Sequence, residues 1–282
     1  MAENAMIQAP LAALFSGSQR LCTRYLIRRY AFSNGRLIAL VFTGYFIFLA
    51  PFAPAYFDHE PGMFTTTNII LLFALAASSI SANMLLLQGT RHTDAEKSEP
   101  LFLTYGIFTI ILAFLLYADE RNAVNAVLAV IATFAVVSIN IEKHHFQLNR
   151  YSLLILVAAG LWAVHISIMK QLLTSFSPFM VLLLNSMLVS SVTVLAFGVH
   201  RKDISGRKLP LIIFDVMLGI AAWLLQLWSY QLYGLVTTTL FLALAPIVTE
   251  WGSKLFLKEA LHWKNLAATV VIAGCISASF IV

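Results

Sequence analysis

A glutamate lies inside a long apolar stretch near the C-terminal end of the chain. Glu250 follows Pro246 by about one helical turn and precedes Trp251. A proline inside a helix leaves a backbone carbonyl without its donor, and the resulting polar niche can bind a solute or a proton. The alternative is an ion pair with Lys254, four residues later, at the edge of the apolar region. Glu250, Pro246 and Trp251 are therefore predicted to bind substrate or a proton.

Three further side chains with useful chemistry lie within apolar stretches: Trp162, His165 and Trp223. Trp162 and His165 are three residues apart and so share one helical face. The imidazole of His165 could titrate near neutral pH, which suits proton exchange, or it could hydrogen-bond a neighbouring carbonyl. All three are predicted to line a binding site. Asp215, six residues after Leu209, is expected near the membrane interface in a structural role.

The segment 91–99, RHTDAEKSE, carries charges of both signs between two apolar stretches. Mixed charge at the mouth of a cavity would suit a zwitterion or a polar organic ion. The alternative is a solvated loop with no binding role. Glu99 becomes a second candidate for the site if it lies within the helix that follows.

The composition indicates what must position these residues. Hydrophobic residues make up 60% of the 282 residues and charged residues 11%, and the mean hydropathy is +0.85. A soluble domain carries about 25% charged residues, so this chain is predicted to be an all-α integral membrane protein. A membrane-spanning helix needs roughly 20 apolar residues. Nine stretches meet that test: 36–57, 65–89, 98–118, 122–141, 151–170, 177–199, 209–231, 235–257 and 262–282.

A tenth, weaker segment covers residues 6–30, where Arg20 and Arg24 interrupt the second half. It could span, lie in the interface or be a degenerate first helix. All of the 18 lysines and arginines except Arg121 and Lys170 fall on one side if each span reverses the chain. The positive-inside rule places that side in the cytoplasm and the C-terminus on the outer face. The expected location is the bacterial inner (plasma) membrane.

The chain also matches itself at an offset of 139 residues. Leu101-Phe102-Leu103 then aligns with Leu240-Phe241-Leu242, and Glu120 aligns with Glu259. Coincidence among leucine-rich helices is the alternative explanation. The matched segments are five spans apart, so the two copies would have opposite orientations, as in the inverted-topology repeats of secondary transporters. The predicted repeats are residues 1–141 and 151–282, surrounding a central cavity.

The stretch 230–271 resembles the ninth and tenth helices of the drug/metabolite transporter superfamily, EamA type. The similarity is carried by Pro246, the apolar end Leu255-Phe256-Leu257 and Glu259, followed by a final helix with Gly274. The first half follows the same pattern but has Ile107 in place of the proline. The resemblance implies ten helices around a central cavity and the movement of small metabolites, often outward. It also implies that both termini are cytoplasmic, in conflict with the charge distribution.

The leading hypothesis is a secondary transporter that exports small polar metabolites, such as amino acids or related organic solutes, by alternating access. The chain has no GxxxxGK[ST] motif for ATP. The alternatives are a lipid-linked carrier or flippase, and a membrane-embedded enzyme, although a tight catalytic constellation is absent from the sequence. The expected partners are a small-molecule substrate, the lipid bilayer and a coupling proton, together with a second copy in a homo-oligomer. Nucleic acid, metal and cofactor are not expected.

Overall fold

The computed structural model describes residues 7–30, 32–56, 63–92, 101–140, 149–200, 203–204, 206, 208–245, 248, 270–271, 274–276 and 278. Eight long helices make up these residues, joined by short turns. In chain order they are α1 (Gln8–Tyr30), α2 (Asn34–Leu49), α3 (Thr66–Arg91), α4 (Tyr105–Leu116), α5 (Ala123–Asn140), α6 (Arg150–Leu172), α7 (Pro178–Phe197) and α8 (Lys208–Leu242). A 3-10 turn at Ala50–Phe52 and a short helix at Ala53–Tyr56 extend α2, and a second 3-10 turn at Ala118–Glu120 follows α4.

Side chains fix the starting points of three of these helices. Thr65 accepts a hydrogen bond from the backbone N–H of Asn68 at the start of α3. Asn149 accepts from the N–H groups of Tyr151 and Ser152 at the start of α6. Such caps satisfy backbone donors that have no partner within the helix. Ser177 caps α7 in the same way, and Pro178 at the first helical position needs no donor partner.

The helices lie where the apolar stretches were predicted. Five segments of the described chain are long and apolar enough to cross a membrane: Asn34–Tyr56, Thr66–Arg91, Arg150–Leu172, Pro178–Phe197 and Lys208–Leu242. Two shorter apolar helices, Leu101–Leu116 and Ala123–Ala135, occupy the positions of two further predicted spans. About half of the predicted span 235–257 and most of the predicted span 262–282 lie outside the described residues.

The boundary predicted at Tyr233-Gly234 exists as a break inside α8 rather than as a loop. Gly234 has φ +80° and ψ 175°, which no helix accommodates. A residue with a Cβ rarely adopts this positive φ, whereas glycine does so readily. The chain therefore leaves one helical path and enters a second at Leu235.

The helices pack across the two halves of the chain. α8 packs most extensively on α1, α3 on α6, and α2 on α7. Suppose that α1, α2 and α3 of the first half correspond to α6, α7 and α8 of the second half. Exchanging corresponding helices then turns the contact of α1 with α8 into the contact of α6 with α3. The same exchange leaves the contact of α2 with α7 unchanged. The contacts therefore agree with a pseudo-two-fold relation between repeats, as expected for a duplicated transporter fold.

α1 forms the segment that was expected to span the membrane, to lie in the interface or to be a degenerate first helix. It is a helix of 23 residues whose Ala12, Ala13 and Leu26 are buried. The charge pattern predicts that Arg20 and Arg24 lie on the cytoplasmic side, and in the structure they lie on this helix and line an internal cavity. Charged residues lower the hydropathy of a segment and so favour a loop prediction. This helix tolerates them because it packs against other helices and its charged side chains line a polar cavity.

Candidate functional site

A partly open cavity of about 190 Å³ lies between helices of both halves. It occupies the end of the bundle where α1 and α3 finish and where α2 and α8 begin. Its polar and aromatic lining comprises Ser16, Gln19, Arg20, Thr23, Arg24, Phe42, Tyr45, Asn83, Thr90, Phe102, Tyr105, Trp162, Asp215, Trp223 and Gln226. The mixture of charged, amide, hydroxyl and aromatic groups suits a small polar organic molecule.

Charged groups of both signs line this cavity. The guanidinium of Arg20 lies over the ring of Phe102, 5.3 Å from its centroid. Asp215 is fully buried in α8, and its Oδ1 accepts a 2.7 Å hydrogen bond from the hydroxyl of Thr23 in α1. Its expected position near the membrane interface stays a prediction. Its burial under α1 was not predicted, because neighbouring residues in the sequence do not reveal that α1 covers this part of α8.

A second hydrogen bond holds the cavity wall next to this carboxylate. The amide of Gln19 donates to the hydroxyl of Tyr45 at 2.6 Å, joining α1 to α2. Gly219, one turn after Asp215, lies directly against both groups. A Cβ at this position would overlap the Tyr45 hydroxyl and the Gln19 amide nitrogen. The three helices can approach one another here only because residue 219 has no side chain.

Aromatic rings form another part of the wall. Phe102 contacts Tyr105 and Trp162 at ring-centroid distances of 5.2 Å and 5.8 Å, and Trp162 contacts Trp223 at 5.7 Å. These tilted and edge-on arrangements are the favourable ones for aromatic pairs. The two predicted tryptophans thus lie together and face the cavity, although α6 and α8 carry them 61 residues apart in the sequence.

His165 lies behind this aromatic wall and does not line the cavity. It is fully buried, and its Nδ1 is 3.2 Å from both the carbonyl oxygen of Leu75 and the hydroxyl of Ser78. A carbonyl can only accept, so a bond to Leu75 requires the proton on Nδ1. The ring also contacts Trp162 and Trp223. These contacts attach α6 to α3 and support the tryptophans from behind.

The opposite end of the bundle is fastened by a network that we call the Glu120 latch, formed by Glu120, Lys170, Leu235 and Val236. The buried Glu120 carboxylate accepts hydrogen bonds from the backbone N–H groups of Leu235 at 2.7 Å and Val236 at 3.2 Å. Lys170 donates to the same carboxylate at 2.5 Å. The carboxylate thus caps the helical segment that begins after Gly234 and neutralises a lysine at the end of α6.

The latch connects three elements that are distant in sequence: the turn after α4, the end of α6 and the break in α8. The side chain of Glu120 is 4% exposed and that of Lys170 is 15% exposed, whereas the neighbouring Asp119 is 70% exposed at 3.3 Å from the lysine nitrogen. Tyr117 supports the lysine from one side, because its ring lies 5.7 Å from the Lys170 nitrogen and its hydroxyl donates to the Ser167 carbonyl.

Sequence reasoning and structure overlap only in part at the site. Of the predicted binding residues, Trp162 and Trp223 line the cavity and His165 supports them. Glu250, Trp251, Pro246 and Glu99 lie outside the described residues. The place of Asp215 in the cavity wall and the Glu120 latch were not predicted. The alignment of Glu120 with Glu259 in the repeat drew attention to this glutamate but did not identify its partners Leu235, Val236 and Lys170. Among the described residues no cluster of His, Cys, Asp or Glu could hold a metal ion.

Comparison with known proteins agrees with this architecture. The model of the EamA-like transporter family matches the chain twice, over residues 4–141 and 149–281. No curated protein matches the sequence. A solved structure described as "Crystal structure of protein" has a TM-score of 0.75 and 13% sequence identity, and the match covers 99% of this chain and 97% of that chain. At this identity the match shows the shared fold alone. With both of its halves matched by one family model, the chain belongs to the EamA-like transporter family.

Proposed function

We propose that this membrane transporter is a secondary carrier that exports small polar organic solutes, such as amino acids or related metabolites. The observation that carries the proposal is the cavity lined from both halves by Arg20, Arg24, Asp215 and aromatic rings. Charged groups within a membrane protein are costly and usually mark a pathway for substrate or ions. Solute and proton gradients are the energy sources that we propose.

We propose alternating access as the mechanism, with the Glu120 latch as the outer gate. The cavity lies toward the end predicted to be cytoplasmic, and the latch lies at the opposite end. Lys170 is one of the two basic residues that the charge pattern predicts on the outer side of the membrane. In this arrangement the cavity is accessible from the cytoplasm while the latch is closed. Opening toward the outside requires Glu120 to release Leu235 and Lys170.

Labelling of a cysteine in the cavity tests the gate. Thr90→Cys, in a chain with Cys22 and Cys275 replaced by serine, places a thiol in the cavity lining. In inside-out vesicles we expect rapid reaction with a membrane-impermeant maleimide, and slower reaction when Glu120→Gln is added. Equal rates with and without the Glu120 substitution would refute the role of the latch as a gate.

The transport function itself is tested by comparing cells with and without the protein. Export predicts that a set of small polar metabolites accumulates in the medium only when the protein is present. Purified protein in liposomes should then move the same compounds, and a pH gradient should change the rate if a proton is coupled. A metabolite profile that is identical in both cultures would count against the carrier function.

The remaining proposals concern placement and assembly. We propose a bacterial plasma membrane location with the C-terminus on the outer face, repeats at 1–141 and 151–282, and association into a homo-oligomer. A reporter enzyme fused after Val282 that proves active only in the cytoplasm would overturn the orientation. Native mass spectrometry of the purified protein distinguishes a monomer from an oligomer.

A further inference from the structure

The carboxylate of Asp215 is the negatively charged group that α8 contributes to the cavity lining. It is fully buried, and Thr23 of α1 donates to its Oδ1 at 2.7 Å. Apart from the nearby thiol of Cys22, no described residue offers Oδ2 a hydrogen bond. A buried polar atom without a partner is uncommon in proteins and calls for a ligand or another explanation. Here the atom belongs to the wall of the proposed solute cavity.

Charge balance indicates which ligand this oxygen would bind. The groups from neighbouring elements that interact with the carboxylate are the neutral hydroxyl of Thr23 and thiol of Cys22 on α1 and the phenol of Tyr45 on α2. Among the described residues, none forms an ion pair with Asp215. Burying an ionised carboxylate is strongly unfavourable unless a positive group or a proton accompanies it. A solute with an ammonium group would supply both the charge and the missing hydrogen-bond donor.

We propose that Asp215 binds the ammonium group of the transported solute, so that the carrier selects compounds with an amino group over their desamino analogues. This inference rests on the proposed function and specifies the chemistry of its substrate. Arg20, three residues before Thr23, lies on the same face of α1, and both Arg20 and Arg24 line the same cavity. A carboxylate beside the ammonium group, as in an amino acid, would therefore meet guanidinium groups in the cavity.

Matched compound pairs test the selection. One pair is phenylalanine and 3-phenylpropionate, chosen for the aromatic wall, and the other is leucine and 4-methylpentanoate. The measurement is the concentration of each compound that half-saturates thermal stabilisation of the purified protein, followed by counterflow in liposomes. In at least one pair we expect the amino compound to bind at least about tenfold more tightly, because a buried polar group left unpaired gives strong discrimination.

Substitution of the carboxylate assigns the selection to Asp215. In Asp215→Asn the preference for the amino compound should fall to near unity, whereas Asp215→Glu should keep part of it. Asp203→Asn is the matched control, because this carboxylate lies after α7, accepts from the His200 N–H and is not among the cavity-lining residues. Monodisperse elution and an unchanged unfolding temperature show whether each variant is folded. If Asp215→Asn does not fold, the test is whether Asp215→Glu keeps only part of the wild-type preference for the amino compound.

The outcomes separate this inference from the function it extends. A wild-type protein that binds both members of each pair equally, or none of the four compounds, overturns the inference. The inference is also overturned if Asp215→Asn weakens the binding of amino and desamino compounds by the same factor. The function stands in those cases if other metabolites are still exported. It falls only if the metabolite comparison and the liposome assay both detect no solute movement.

Discussion

The backbone N–H of Leu235 donates to the buried carboxylate of Glu120 over 2.7 Å, although 115 residues separate the two. The same carboxylate binds Lys170. Glu120→Gln keeps an acceptor oxygen but leaves the lysine charge with the exposed Asp119 in place of its buried partner. Because breaking one side of a buried ion pair is costly, we expect the free energy of unfolding to fall by about 3 kcal/mol. Denaturant unfolding in detergent measures the change.

Asp119→Asn is the matched control for this prediction. Asp119 also contacts Lys170, but its side chain is 70% exposed. Exposed ion pairs contribute about 1 kcal/mol or less, so this variant should remain close to wild type. If the two variants lose equal stability, Glu120 has no special role in the latch.

The break at Gly234 predicts a second stability effect. Gly234→Ala must adopt φ +80°, and its Cβ would overlap the Glu120 carboxylate. The positive φ alone costs about 1–2 kcal/mol, and displacement of the carboxylate adds to that cost. Gly160→Ala in α6 is the control, because its Cβ would meet no atom within 4 Å. Replacing a helical glycine there should be neutral or stabilising by up to about 1 kcal/mol. A thermal shift assay in which Gly160→Ala is less stable than Gly234→Ala would contradict this prediction.

Gly219 predicts an effect on transport. A methyl group at this position would displace the hydroxyl of Tyr45 and the amide of Gln19 from the cavity wall. We expect Gly219→Ala to reduce the transport rate at least about tenfold, since small displacements in a binding site have effects of this size. Tyr45→Phe, which removes only the hydroxyl, should have a smaller effect. Initial rates of uptake into liposomes, at equal amounts of reconstituted protein, give the comparison.

His165 is predicted to stabilise the fold without exchanging protons during transport. Its Nδ1 lies at Leu75 and Ser78, and the ring supports Trp162 from outside the cavity. His165→Asn retains a side-chain donor, so its transport should have the same pH profile as the wild type. His165→Phe removes the polar contacts and should be destabilised by about 1–3 kcal/mol. A pH profile that shifts in His165→Asn would instead assign a titrating role to the imidazole.

Glu250 stays a prediction from the sequence. If it carries a proton beside Pro246, Glu250→Gln should abolish acceleration of transport by a pH gradient while the protein remains folded. Solute exchange without a gradient should persist in this variant. Wild-type acceleration in Glu250→Gln would remove this glutamate from proton coupling.

The helices could be predicted well from sequence, because length and hydropathy determine which segments can cross a bilayer. The stretches predicted at 65–89 and 151–170 are Thr66–Arg91 and Arg150–Leu172 in the structure. The site was predicted less well. Trp162 and Trp223 could be recognised by type and depth, but Asp215 could not. The environment of Asp215 depends on Thr23 of α1, which lies 192 residues earlier in the sequence. Pairings over such distances leave no periodic signal in one sequence.

The packing of α1 on α8 has a consequence for synthesis. At ribosomal rates of about 5–20 residues per second, Thr23 exists for roughly 10–40 seconds before Asp215 is made. During that interval the helix that carries Arg20 and Arg24 has no α8 to cover it. α1 therefore leaves the ribosome well before α8, and its buried face reaches its main neighbour only after that later segment has been made.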